Sequence, residues 1–173
     1  MIFRSLGRIV PILLFFSACT TTSKVTCTAD LSQLPANVVG AVFPYSIESF
    51  GLSGRKGCEI TLRKGNSFKK YDVRFELGSG LLFAALPPGT YTFYEFSCGG
   101  LEWDLTFESF PGFPVSENSI SFLPGLWIKV TESDVAQFKM SNREMEREEL
   151  LRFLGEISPS IKGRVVPNFS TPK

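Results

Sequence analysis

The chain has 173 residues, with 18 Lys and Arg against 17 Asp and Glu and a hydrophobic content of 43%. That length suits one domain with a real core, and the near-neutral charge argues against general nucleic-acid binding. The sequence has no His, which removes His-based triads, His metal ligands and the commonest general base.

The first residues read as an export signal. Arg4 and Arg8 are basic, Ile9 to Phe16 is a short apolar run broken by Pro11, and Ser17 and Ala18 are small. Such a run is too short to span a bilayer as a helix. Phe16-Ser17-Ala18-Cys19 resembles the lipobox of bacterial lipoproteins, with Phe16 where Leu is usual. The resemblance implies removal of residues 1–18 and lipidation of Cys19 as the first mature residue. An ordinary cleaved signal is the alternative. Thr20-Thr21-Thr22-Ser23-Lys24 then reads as a polar tether, so residues 19–35 are expected to link anchor and domain. No Asp follows the Cys, and by the usual sorting rule this implies the outer membrane of a Gram-negative cell, with the domain expected to face the periplasm. Several acyl chains on one residue hold a protein stably where one chain would not. Losing Arg4 and Arg8 leaves 16 basic residues against 17 acidic ones, which further disfavours nucleic acid as a partner.

Residues 36–132 are expected to form the domain. A first strand is expected around Val38 to Tyr45. Cys58 to Arg63, Tyr71 to Leu77 and Leu101 to Glu108 alternate apolar with polar residues, the pattern of strands with one wet face. Such strands are usually antiparallel. Leu81 to Leu86 is apolar throughout, and Tyr91 to Phe96 is aromatic on both faces, so both read as more buried. Ser119 to Leu123 and Leu126 to Val130 flank Pro124-Gly125. Turn residues at Lys64-Gly65-Asn66, Gly78-Ser79-Gly80, Pro87-Pro88-Gly89 and Gly99-Gly100 separate the strands. About seven short strands point to a small antiparallel β-sandwich, whose inner faces the 17 Phe residues can fill.

Leu86-Pro87-Pro88-Gly89-Thr90-Tyr91-Thr92-Phe93-Tyr94-Glu95 resembles a strand of transthyretin-like (prealbumin-like) sandwiches. That group includes carboxypeptidase regulatory-like domains and Cna protein B-type repeats. The likeness implies a small extracytoplasmic sandwich used as a structural or binding module. In B-type repeats a Glu four residues after the Tyr promotes an isopeptide bond between Lys and Asn or Asp, and Glu95 has that spacing. The other partners are poor: Cys58 to Arg63 holds no Lys, and Asn118 is at an edge.

Residues 139–157 read as an amphipathic C-terminal helix. Ser141-Asn142-Arg143-Glu144 has capping-box spacing. Met145, Leu150, Leu151, Leu154 and Ile157 form an apolar stripe, expected to pack on the sandwich, with partner binding as the alternative. Gly155 and Pro159 end the helix, and residues 158–173 read as an irregular tail.

With Cys19 lipidated, Cys27, Cys58 and Cys98 remain. Cys58–Cys98 is favoured, because one begins a strand and the other ends one; Cys27 bonded to either stays open. No metal site or cofactor is expected, since zinc needs four ligands and paired Cys spacing is missing. No catalytic residue stands out. Ser53 lies outside any Gly-x-Ser-x-Gly pattern, and Glu102 with Asp104 reads as the wet side of a sheet. The expectation is a non-catalytic envelope lipoprotein with a structural or protein-interaction role. Carbohydrate or peptidoglycan binding through Trp103 and Trp127 is the alternative, and a carboxylate-dependent hydrolase comes after it.

Overall fold

The computed structural model describes residues 22–49, 57–65, 67–106, 110–131, 136–140 and 143–168. In chain order the strands are β1 (Thr22–Lys24), β2 (Cys27–Thr28), β3 (Gly40–Ser49), β4 (Cys58–Lys64), β5 (Lys70–Phe75), β6 (Gly78–Ala84) and β7 (Gly89–Cys98). They continue as β8 (Leu101–Asp104), β9 (Phe113–Val115), β10 (Ile120–Phe122), β11 (Leu126–Val130), β12 (Ala136–Met140) and β13 (Val165–Pro167). Helices α1 (Arg143–Glu156) and α2 (Pro159–Lys162) lie between β12 and β13.

The strands form two packed sheets. The first runs β1-β5-β4-β7-β8, with β9 beside the start of β7. The second runs β12-β11-β3-β10-β13, with β6 on the other side of β3 and β2 outside β6. The chain is therefore a mainly β sandwich with helices near its C-terminus. Phe43 of the second sheet meets Phe75 and Phe113 of the first at ring separations of 5.8 and 5.9 Å. Edge-on aromatic pairs of this kind fill the space between the sheets.

Local patterning accounts for the first sheet. Ile60 and Leu62 of β4 are buried, as are Val73 and Phe75 of β5, two residues apart in each case. β8 ends at Asp104, short of the expected Glu108. Asp104 Oδ1 accepts from the Thr106 backbone N–H at 2.7 Å and from its hydroxyl at 2.6 Å, a turn that stops the strand. Phe107 and Glu108 lie outside the described residues.

The second sheet is buried on both faces. Leu82 and Ala84 of β6 face the sandwich interior, while Leu81 and Phe83 face a separate cluster with Phe153, Ile157 and Ile161 of the helical layer. Hence the unbroken apolar run at Leu81–Ala84.

Strand direction departs from the antiparallel expectation in four places. β10 and β11 both run parallel to β3, β13 runs parallel to β10, and β1 runs parallel to β5. Parallel neighbours need a long crossover, and here β4, β5, β7, β8 and β9 of the first sheet lie in the chain between β3 and β10.

β10 and β11 share one edge of β3. Phe122 sits opposite Val42 and Leu126 opposite Tyr45, so the β10–β11 side carries one extra residue. Leu123 N–H donates to the Val42 carbonyl at 3.0 Å. By strand alternation Pro44 turns toward the same edge, where its missing N–H coincides with the bulge at Leu123-Pro124-Gly125.

The C-terminal part is more ordered than its composition suggested. Residues 158–168 hold α2 and β13 in place of an irregular tail. Pro159 opens α2 with Ser158 as its N-cap residue, a position where a missing N–H is harmless. In α1 the packed positions are Leu150, Phe153, Leu154 and Ile157, with Phe153 fully buried. Leu151, expected in the stripe, is 61% exposed. The capping residues Ser141 and Asn142 lie outside the described residues. The expected tether is also largely folded: β1 pairs with β5, and β2 with β6.

Candidate functional site

The helical layer covers only part of the outer face of the second sheet. Val42, Ile120 and Phe122 lie beneath it. The second half of β3 lies beyond it, and there the outward positions become polar. Ser46 and Glu48 of β3 stand opposite Trp127 and Lys129 of β11, which stand opposite Lys139 and Gln137 of β12. These six residues line a shallow depression of about 420 Å3. Trp127 is 37% exposed within it.

Alternation builds this face. Leu126, Ile128 and Val130 are buried in the sandwich, so Trp127 and Lys129 point outward. On β12, Gln137 and Lys139 are exposed while Phe138 packs inward, 5.5 Å from the Phe96 ring.

A second depression of about 120 Å3 adjoins Trp127, reaching Tyr45 and Ser79 on the sheet and Glu149 and Arg152 on α1. Glu149 Oε2 is buried and takes no hydrogen bond among the described residues. It lies 3.9 Å from Arg152 Nη2. Burial pushes the Glu149 carboxyl above its usual range, with Arg152 opposing. The two depressions leave Trp127 as a ridge with hydrogen-bonding groups on both sides.

The two tryptophans thus divide. Trp103 is opposite Phe96 and stacks on it at 5.4 Å, part of the sandwich core. Only Trp127 can offer a ring face to a ligand. Sequence reading had both residues but missed Ser46, Glu48, Gln137, Lys139, Glu149 and Arg152. The alternation of Ala136–Met140 was the available signal for β12.

Cys58 and Cys98 are directly opposite in β4 and β7 and form a disulfide, with 4.3 Å between their Cα atoms. Both are buried. Cys27 is left as a half-buried thiol, its pKa raised chiefly by that burial and further by Glu59, with a backbone hydrogen bond from Arg74 opposing. Glu102 and Asp104 are exposed on β8. Hydrogen bonds from Thr106 hold the Asp104 carboxyl below its usual range, as a turn-forming acceptor would be. No group of three or more Cys, Asp or Glu side chains among the described residues is placed to hold a metal. Cys19 and Ser53 lie outside the described residues.

Glu95 does not enter the core. Thr61 pairs with Glu95 but Leu62 pairs with Phe93, which leaves Tyr94 as an extra residue in β7. The bulge reverses the alternation, so Tyr91, Phe93, Phe96 and Cys98 are all buried. Glu95 is turned to the outer face with Glu59, whose carboxyl feels its charge. The spacing match to the B-type repeats therefore does not carry Glu95 to the core side of the strand, where Tyr91 lies.

No protein-family model, no curated protein and no solved structure matches this chain.

Proposed function

We propose that this chain is a lipid-anchored envelope protein whose sandwich is a non-catalytic binding module, and that the Trp127 face takes a carbohydrate. The observation that carries the ligand is the indole of Trp127, exposed on an open sheet between two depressions lined by Ser, Gln, Glu, Lys and Arg side chains. A sugar ring presents an apolar C–H face to an aromatic ring and hydroxyls to its rim; such sites combine one aromatic platform with a few placed polar groups.

A protein partner is the alternative occupant. It would favour a continuous apolar patch. The exposed large apolar residues instead sit on separate segments: Phe68 and Leu77 in two different turns, Trp127 on β11, Leu151 on α1 and Val166 on β13.

The anchor rests on Cys19 in its lipobox-like setting. The Cys58–Cys98 disulfide accords with an exported location. Thr20 in place of an Asp after Cys19 supports outer-membrane attachment, and a periplasm-facing domain is part of the same reading.

The ligand is tested by titrating tryptophan emission with soluble oligosaccharides, peptidoglycan fragments first. A saturable change that Trp127→Ala abolishes supports the assignment, with Trp103 as the internal background. A response that survives Trp127→Ala, or no response, removes the carbohydrate and leaves the protein partner. Anchoring is tested by intact mass of the membrane-extracted protein. A start at Cys19 carrying acyl chains is expected, and an unacylated start would sink it.

A further inference from the structure

We propose that the tip of the β4–β5 hairpin is a second membrane contact, in which Phe68 enters the interface and the flanking cations meet anionic phospholipid headgroups. The orientation it implies rests on lipidation of Cys19; the contact itself is independent of the Trp127 face.

Phe68 is 74% exposed, the most exposed large apolar side chain among the described residues. It is not on a loose loop. The Ser67 N–H donates to the Lys64 carbonyl at 3.1 Å, and the Lys64 N–H donates to the Lys69 carbonyl at 3.2 Å. The Gly65 N–H donates to the Thr90 carbonyl at 2.7 Å, which ties the tip to the neighbouring turn before β7. The ring is therefore held outward by an ordered turn, with its apolar surface in water.

Its neighbours are cationic. Arg63, Lys64, Lys69 and Lys70 surround Phe68 in sequence, and the segment 63–70 contains no acidic residue. Lys70 Nζ sits 4.0 Å from the centre of the Tyr94 ring and Arg63 lies 5.6 Å from it. Tyr94 is the bulged residue of β7, so the bulge supplies the surface on which these two cations rest. An aromatic ring among cations matches a bilayer surface, where the ring sits at the acyl boundary and the cations at the phosphates.

The path of the chain places this end at the membrane. Thr22 of β1 is directly opposite Lys70 of β5. Cys19 precedes Thr22 by three residues, so even a fully extended chain puts it within roughly 11 Å of Thr22. An acyl anchor at Cys19 would therefore sit beside the hairpin tip. One lipid signal combined with a basic patch holds a protein more firmly than either alone.

The test uses the mature full chain in vesicles of phosphatidylglycerol with phosphatidylethanolamine, and in phosphatidylcholine alone. Phe68→Trp reports insertion through quenching by brominated lipids, after subtraction of the signal from the unsubstituted chain. Strong quenching in the anionic vesicles and weak quenching in phosphatidylcholine is expected. Adding K69Q and K70Q should lower the inserted-to-withdrawn ratio about thirtyfold, near fivefold per cation. Phe68 and Lys69 are exposed, and Lys70 is half-buried with only its ammonium on the Tyr94 ring, so folding should survive. No quenching in either vesicle overturns the contact, as does equal quenching in both that K69Q and K70Q leave unchanged. Intact mass separates this from the anchor: an acylated but unquenched protein fails only the hairpin contact, and an unacylated but quenched protein fails only the anchor.

Discussion

Glu95 stands four residues beyond Tyr91, yet the two side chains leave β7 on opposite faces. An unbroken strand would send both to one side, but the extra residue Tyr94 reverses the order between them. Tyr91 is buried, and its hydroxyl donates to the Pro87 carbonyl at 2.5 Å. Glu95 is half-buried on the outer face. Intact mass should therefore show no loss of ammonia or water beyond the hydrogens lost to the disulfide, and Glu95→Gln should change stability by less than about 0.5 kcal/mol.

Tyr91→Phe should cost about 1 kcal/mol, because it leaves the Pro87 carbonyl without its donor. The measurement is the urea midpoint at unchanged slope.

Breaking Cys58–Cys98 should cost about 2–4 kcal/mol, since the bond closes a loop across a separation of 40 residues. Denaturant unfolding of Cys58→Ala/Cys98→Ala against the oxidised parent checks this. An undiminished midpoint would contradict a stabilising bond.

Arg164 joins three segments. Its guanidinium donates to the carbonyls of Asn118 (2.7 Å), Val38 (2.5 Å) and Ala36. Arg164→Ala should destabilise by about 1–3 kcal/mol. Arg164→Lys should recover little of this, because a single ammonium cannot span the three acceptors. Hydrogen exchange should accelerate first in β13, which begins at the next residue.

Two of the groups that make stability depend on pH are Cys27 and Glu149. The Cys27 thiol has a folded pKa above its unfolded one, so the unfolded chain releases that proton first as pH rises. Its contribution is full below the unfolded thiol pKa and is lost as pH rises through the folded value. Alkylation of native Cys27 should therefore need more alkaline conditions than alkylation of the unfolded chain. The Glu149 carboxyl is also raised, so its contribution is full below the unfolded carboxyl pKa and declines through the folded one. Glu149→Gln should raise the melting temperature at neutral pH, and the gain should shrink in acid.

Much of the sandwich was legible because β4 and β5 write their buried face into a two-residue period. Core packing was the simpler expectation for Trp127 in such a strand, yet its neighbours Leu126 and Ile128 take the buried face and leave it outward. Three things were hidden. Tyr91 to Phe96 looks aromatic on both faces, but a bulge and a doubly buried strand give similar strings. The parallel pairing of β3 with β10 and β11 joins segments far apart in the chain, and no local pattern encodes it. In α1, Leu151 and Phe153 are both large and apolar, and only the position of the sheet decides that Phe153 is buried. The candidate site was legible only as a candidate tryptophan: which face Trp127 takes, and the approach of Ser46, Lys139 and Glu149 to it, are set by long-range contacts.

The bulge opposite Pro44 keeps Trp127 outward at the spacing this chain has. Phe122 and Val42 face the helices, whereas Leu126 and Tyr45 face the sandwich interior. From the first pair to the second, β3 advances three residues and the β10–β11 side four. Threaded as one regular strand, that longer side would set Leu126 opposite Ser46 and turn the indole inward, with Leu126 and Ile128 in solvent. The bulge takes up the surplus residue, so the facing of β11 is decoupled from the spacing before it, and deleting Gly125 would remove the bulge yet leave the tryptophan outward.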